Sequence, residues 1–87
     1  MSKFEKETVV MNAQGLHARP AALFVQIAAK YDSNVTVSKD GESVNGKSIM
    51  GILMLGAQKS SKITIAAVGP DAEKVVNELV EFVNRNE

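Results

Sequence analysis

Two spacings of apolar residues alternate along the chain. Phe4 to Met11 holds Val9 and Val10 behind alternating charges and reads as a strand, although parity does not fix its inward face. From Ala18 to Lys30 the interval lengthens to three and four. Ala21, Leu23, Phe24, Ile27, Ala28 and then Tyr31 fall opposite Arg19, Gln26 and Lys30, which predicts an amphipathic helix. Alternation returns in "SNVTVSK", with Val35 and Val37 on one face. Asp40-Gly41 is a hairpin signal leading into a short strand through Val44. Ser48 precedes an almost unbroken apolar run between Gly46 and Gly56, long enough only for a short helix with one exposed apolar side. Ile63, Ile65 and Ala67 alternate with polar or small residues in a last strand. Gly69-Pro70-Asp71 then opens a helix with Val75, Val76, Leu79, Phe82 and Val83 on one stripe. Asp71 and Glu73 suit the start of that helix and Arg85 its end.

The predicted order is β-α-β-β-α-β-α. Right-handed crossovers and short connections make the economical packing an α/β (α+β) open-faced sandwich, a four-stranded, mainly antiparallel sheet with all helices on one face. The 87 residues suit one domain, residues 1–87, and leave little room for a second core.

Charge and composition narrow the chemistry. Ten Lys and Arg balance ten Asp and Glu, so no overall field draws nucleic acid or anionic membrane, and direct nucleic-acid binding is not expected. Cysteine is absent, which excludes disulfides, thiolate metal sites and cysteine nucleophiles and fits a reducing compartment. The charged start "MSKFEKETVV" lacks the apolar core of a signal peptide, and no apolar run approaches the roughly 18 residues of a membrane span. A cytoplasmic protein without membrane insertion is the expectation. A single histidine leaves only carboxylates as further metal ligands, so no metal and no cofactor are expected.

That histidine, His17, lies in "GLHARP", where the first loop meets the first helix. Gly15 permits an unusual backbone conformation before it, and Pro20 is tolerated in a first helical turn. His17 therefore falls at or near the N-cap. There the imidazole meets unpaired N–H groups and the positive end of the helix dipole, which favour a neutral, nucleophilic ring and a neighbouring anion. A phosphoryl group on the ring would meet the backbone N–H groups of Ala18 and Arg19 and the Arg19 guanidinium. The residues alone favour the plainer reading, an exposed loop histidine or one that caps its helix and does nothing more. No serine or acid is tied to it by spacing, so a catalytic triad has no support. Ser48 is likewise most simply a helix cap worth about 1 kcal/mol. A phosphate there would place roughly two negative charges beside Ile49, Met50 and Leu53.

"GLHARPAALFVQIAAKYDSNVTV", followed by Ser48 in "NGKSIMGILMLGA", closely resembles the HPr family, the histidine-containing phosphocarriers of the bacterial sugar phosphotransferase system. The match covers essentially the whole chain. It implies that His17 takes a phosphoryl group on Nδ1 from enzyme I, itself charged by phosphoenolpyruvate, and passes it to sugar-specific enzyme IIA, with Arg19 assisting. The "KSIMG" context is similar to HPr proteins of Firmicutes type. There the serine matching Ser48 is phosphorylated by HPr kinase/phosphorylase, and the product acts with catabolite control protein A in catabolite repression. A docking surface of Leu16, Ala21, Ile49, Met50, Gly51 and Leu53 and a monomeric state are expected. The related protein Crh keeps the serine but lacks the histidine, so His17 argues for a carrier; a nitrogen-branch paralogue is the alternative. Thr8 stands where many relatives have a large apolar residue, which is expected to loosen local packing.

Two other classes share the predicted architecture. An RNA binder needs exposed aromatics on its sheet, whereas Phe4, Phe24, Tyr31 and Phe82 mostly fall on core stripes. A phosphate-ester or acyl-phosphate hydrolase would turn over without a partner protein, while a carrier holds one acid-labile, base-stable phosphate.

Overall fold

The alternating segments pair into one sheet. A computed structural model describes residues 2–85, with strands β1 (Lys3–Val9), β2 (Asn34–Lys39), β3 (Glu42–Asn45) and β4 (Lys62–Val68). Their spatial order is β1-β4-β2-β3, and every pairing is antiparallel. The helices are α1 (Ala18–Ala29), α2 (Ile49–Leu55) and α3 (Ala72–Val83). Asp40 and Gly41 both take positive φ, +52° and +85°, as a two-residue turn matched to strand twist requires.

Alternation decides which face is covered. Val35, Val37, Ile63, Ile65 and Ala67 are buried beneath the helices, joined by Ala21, Phe24 and Ala28 of α1 and Val75, Val76, Leu79 and Val83 of α3. Phe24 and Phe82 meet edge to face at 6.5 Å. The opposite sheet face, with Lys3, Glu5, Thr36, Ser38 and Thr64, is left open. Leu23 departs from its expected inward place: it is 43% exposed, because the apolar stripe of α1 is wider than the strip the sheet covers.

Register settles the parity that β1 leaves open. Phe4, Lys6 and Thr8 stand opposite Ala67, Ile65 and Ile63 and so share the helix-side face. Lys6 meets that position from the sheet edge by donating to Asn77 Oδ1 at 2.8 Å. The strand stops at Val9, short of Met11, because Val10 bonds to the turn before β4 and Met11 donates to the Val83 carbonyl. Thr8 does not leave loose packing: it is buried and accepts a hydrogen bond from Asn84 Nδ2 at the end of α3.

The α1–β2 connection is clasped to the start of α3. Asp71 is the N-cap residue of α3, yet its carboxylate reaches across to accept from the backbone N–H groups of Asp32 and Ser33, each at 2.9 Å, and from the Ser33 hydroxyl. The Ser33 hydroxyl and then these amides hold the Asp71 carboxyl below its ordinary 3.8. Glu78 is depressed likewise, by hydrogen bonds from Lys30 and Tyr31. A carboxylate with a depressed folded pKa stabilises fully above its unfolded value and loses that contribution as pH falls through the folded one. The melting temperature should therefore decline on acidification below about pH 4. The decline should be shallower in Asp71→Asn, which has no proton to take up. An acid limb of the same steepness in that variant would show that Asp71 is not its source.

Candidate functional site

The loop before α1 is rigid around its exposed histidine. Val10 exchanges backbone hydrogen bonds with Ser60 and Ser61 at 2.7 and 2.9 Å, and the Leu16 N–H donates to the Ala57 carbonyl at 2.8 Å. Gly15 has φ +65°, and a Cβ there would lie 2.7 Å from the Ala57 carbonyl oxygen and 2.9 Å from Gln58 Cα. Both obstacles are backbone, so only glycine permits this approach. The Leu16 side chain is sunk in the core. His17, next in the chain, is exposed and extended, with φ −83° and ψ −167°, and is the N-cap residue of α1.

The first turn of α1 leaves donors for an anion. The first intrahelical bond runs from the Ala21 N–H to the His17 carbonyl at 2.7 Å, and the imidazole itself caps nothing. The N–H groups of Ala18 and Arg19 precede that bond, while Pro20 contributes none. No acidic residue occupies the turn, and the Arg19 side chain is exposed. Exposed imidazole, two unengaged amides, the positive end of a twelve-residue helix and a guanidinium thus share one small region. That set can hold a dianion beside a ring nitrogen.

Ser48 occupies a different end of the same surface. It is the N-cap of α2, with its Oγ accepting from the Gly51 N–H at 3.0 Å. Lys47 Nζ donates to the Tyr31 carbonyl at 2.7 Å, which sets the start of α2 beside the end of α1. The bond from Leu16 to Ala57 sets the far end of α2 beside the start of α1. The two helices therefore run antiparallel, and the seven residues of α2, about 10 Å of helix, separate Ser48 from the His17 end.

The apolar surface between them differs from the expected docking set. Ile49, Met50 and Leu53 are exposed, at 45%, 66% and 37%. Leu16 and Ala21 are core residues and offer no side chain to a partner: Leu16 is buried in the core cluster, and Ala21 lies on the buried stripe of α1. Gly51 turns toward β3, where a Cβ would lie 3.2 Å from the Asn45 carbonyl oxygen. Met54, the most exposed of these hydrophobics at 76%, was not among the expected residues. Its spacing of four from Met50, on the same helix face, was the available signal. Among the described residues no group of His, Asp or Glu side chains is arranged to hold a metal ion, and no helix is long and apolar enough to cross a membrane.

Comparison with known proteins bears on the family and the fold. The family model described as "PTS HPr component phosphorylation site" matches residues 4–85. The HPr-like protein Crh of Halalkalibacterium halodurans is 42% identical over 81 residues, covering 93% of this chain and 96% of that protein. The crystal structure of phosphocarrier protein HPr from Bacillus anthracis superposes with a TM-score of 0.92 at 43% identity, covering 95% of this chain and 99% of that one. Crh of Bacillus subtilis, described as a dimer with a swapped domain, gives 0.78 at 42% identity over 85% of each chain. With a family match that runs from β1 to the end of α3 and a fold shared over nearly the whole length of both chains, the chain belongs to the HPr family.

Proposed function

We propose that this protein carries phosphoryl groups: His17 Nδ1 accepts one from phospho-enzyme I and yields it to sugar-specific enzyme IIA. The observation that carries the reading is the exposed, uncommitted imidazole at the N-cap of α1, beside the free N–H groups of Ala18 and Arg19. The lone pair of Nδ1 attacks phosphorus, the bond from phosphorus to the donor breaks, and its electron pair returns to the donor. The ring keeps its proton on Nε2, so no base is needed. Backbone amides and the Arg19 guanidinium meet the phosphoryl oxygens in both directions of transfer, which stabilises the carrier without locking it. Incubation with phosphoenolpyruvate and enzyme I should add one phosphate per chain, stable to base and lost in acid. Turnover of a phosphate ester or acyl phosphate without a partner would instead indicate a hydrolase.

Arg19→Ala should fold normally and transfer roughly ten- to a hundredfold more slowly, the equivalent of one charge-assisted contact of about 1.5–3 kcal/mol. Single-turnover rates from enzyme I and to enzyme IIA test this; unchanged rates in both directions would remove Arg19 from the site.

Ser48 is read as the target of HPr kinase/phosphorylase, its phosphorylated form acting with catabolite control protein A. The protein is read as a monomer acting in the cytoplasm. The 42% identity to Crh favours a second, regulatory reading, and a nitrogen-branch paralogue is a variant of it. His17 weighs for the carrier, and phosphate uptake from enzyme I separates the two.

A further inference from the structure

Among the described residues, the Asn12 side-chain oxygen Oδ1 is buried without a hydrogen-bond partner. Buried polar atoms in folded proteins nearly always have one. The Asn12 backbone is not free to carry the amide elsewhere, because its carbonyl accepts from the Gly15 N–H at 3.0 Å and Met11 before it is bonded to Val83 at 2.7 Å. The amide can turn only about its own terminal torsion, which is broad for asparagine. A cavity of about 380 Å³ opens beside it, lined by Asn12, Gln14, Arg19, Pro20, Leu23 and Phe82. Of the neighbours in that lining, only Gln14 and Arg19 carry side-chain donors. Arg19 has no ion-pair partner among the described residues, and its rigid fork of five N–H groups can serve two acceptors on different edges. Leu23 and Phe82 form its apolar walls, and apolar surroundings strengthen a charge-assisted bond made beside them.

We propose that Asn12 is a positioning residue for Arg19, its amide carbonyl taking one edge of the guanidinium and so aiming the other at the anion on His17. The proposal rests on the reading of Arg19 as a phosphate-binding residue. A guanidinium held this way starts each transfer already oriented, and the rigid loop that fixes Gly15 and Leu16 fixes Asn12 as well.

Hydrogen exchange of the arginine side chains reads the contact directly. Arg85→Lys assigns the signals, since Arg19 and Arg85 are the chain's arginines. In the His17-phosphorylated protein, Asn12→Leu should speed exchange of the Arg19 guanidinium protons about three- to tenfold and leave Arg85 unchanged. Transfer to enzyme IIA should slow about three- to tenfold, with no further slowing when Asn12→Leu is added to Arg19→Ala. Equal Arg19 exchange in wild type and variant overturns the proposal. So does equal slowing with and without Arg19, which would assign the carbonyl to Gln14 or to the loop. If Arg19→Ala alone leaves transfer unchanged, the phosphate-binding reading fails, and the exchange comparison still decides whether Asn12 holds Arg19. Should Asn12→Leu not fold, Asn12→Asp keeps the acceptor and adds charge. It should slow Arg19 exchange relative to wild type, and unchanged exchange there overturns the proposal equally.

Discussion

Replacing His17 with alanine is expected to abolish labelling from phosphoenolpyruvate and enzyme I while leaving the melting temperature close to wild type. The two halves of that result have separate causes. The imidazole is exposed and makes no capping bond, so its removal forfeits little packing and no hydrogen bond, within about 0.5 kcal/mol of the parent. The loop is held by bonds from Val10, Met11, Gly15 and Leu16, none of which uses the His17 side chain. Labelling should vanish because no second histidine exists to take its place, and a phosphate ester on a nearby hydroxyl would survive acid, unlike the phosphohistidine. Intact mass after incubation reads the outcome in the same sample that circular dichroism checks for folding. A phosphate retained in the folded variant would sink the carrier reading, and a variant that unfolds would contradict the exposure of the ring.

The second large effect is expected at Ser48, and it acts on docking rather than on chemistry. Because α1 and α2 run antiparallel, Ser48 and His17 lie at opposite ends of the exposed strip of Ile49, Met50, Leu53 and Met54. A partner that reaches His17 across that strip must desolvate whatever stands at its far end. The ammonium of the adjacent Lys47 is held at the Tyr31 carbonyl, away from a partner's approach along the strip, so a negative charge at position 48 is added to the surface the partner must cover. Ser48→Asp should therefore raise the concentration of carrier that enzyme I needs, on the order of a hundredfold or about 2.7 kcal/mol, with the rate at saturation little changed. Ser48→Ala removes the bond to the Gly51 N–H and should cost about 1 kcal/mol of stability, while transfer stays nearly normal and kinase-dependent serine labelling disappears. Equal effects of the two substitutions on transfer, or labelling at another serine, would leave Ser48 with only its capping role.

Much of the fold was legible because each element repeats its own period. The alternation of Val35 with Val37 and of Ile63, Ile65 with Ala67 marks strands with one dry face, and that is how they lie. Asp40-Gly41 demands positive φ at adjacent residues, and the hairpin turns there. Leu23 shows where period alone stops informing: a helix stripe states which residues are apolar, but how wide a strip is covered depends on the surface it meets. Leu16 and Ala21 show the same limit at the site. Both were expected in the docking surface, yet neighbouring residues at a helix start point in different directions, and only packing against the sheet fixes which are buried. Thr8, read as a loosened position, found Asn84 from the other end of the chain.

Local chemistry placed His17 at a helix N-cap, Ser48 at another and the apolar run between two glycines, because capping and periodicity are decided within a few residues. The inward face of β1, the antiparallel setting of α1 and α2, the approach of Gly15 to Ala57 and the burial of the Asn12 amide all depend on residues far apart in the chain. Those contacts are chosen by packing and by the pairing of backbone donors across the whole domain, for which no local period or motif is a proxy. The amino-acid sequence by itself therefore set His17 and Ser48 at the starts of two helices, whereas the tertiary structure decided which neighbours those residues keep.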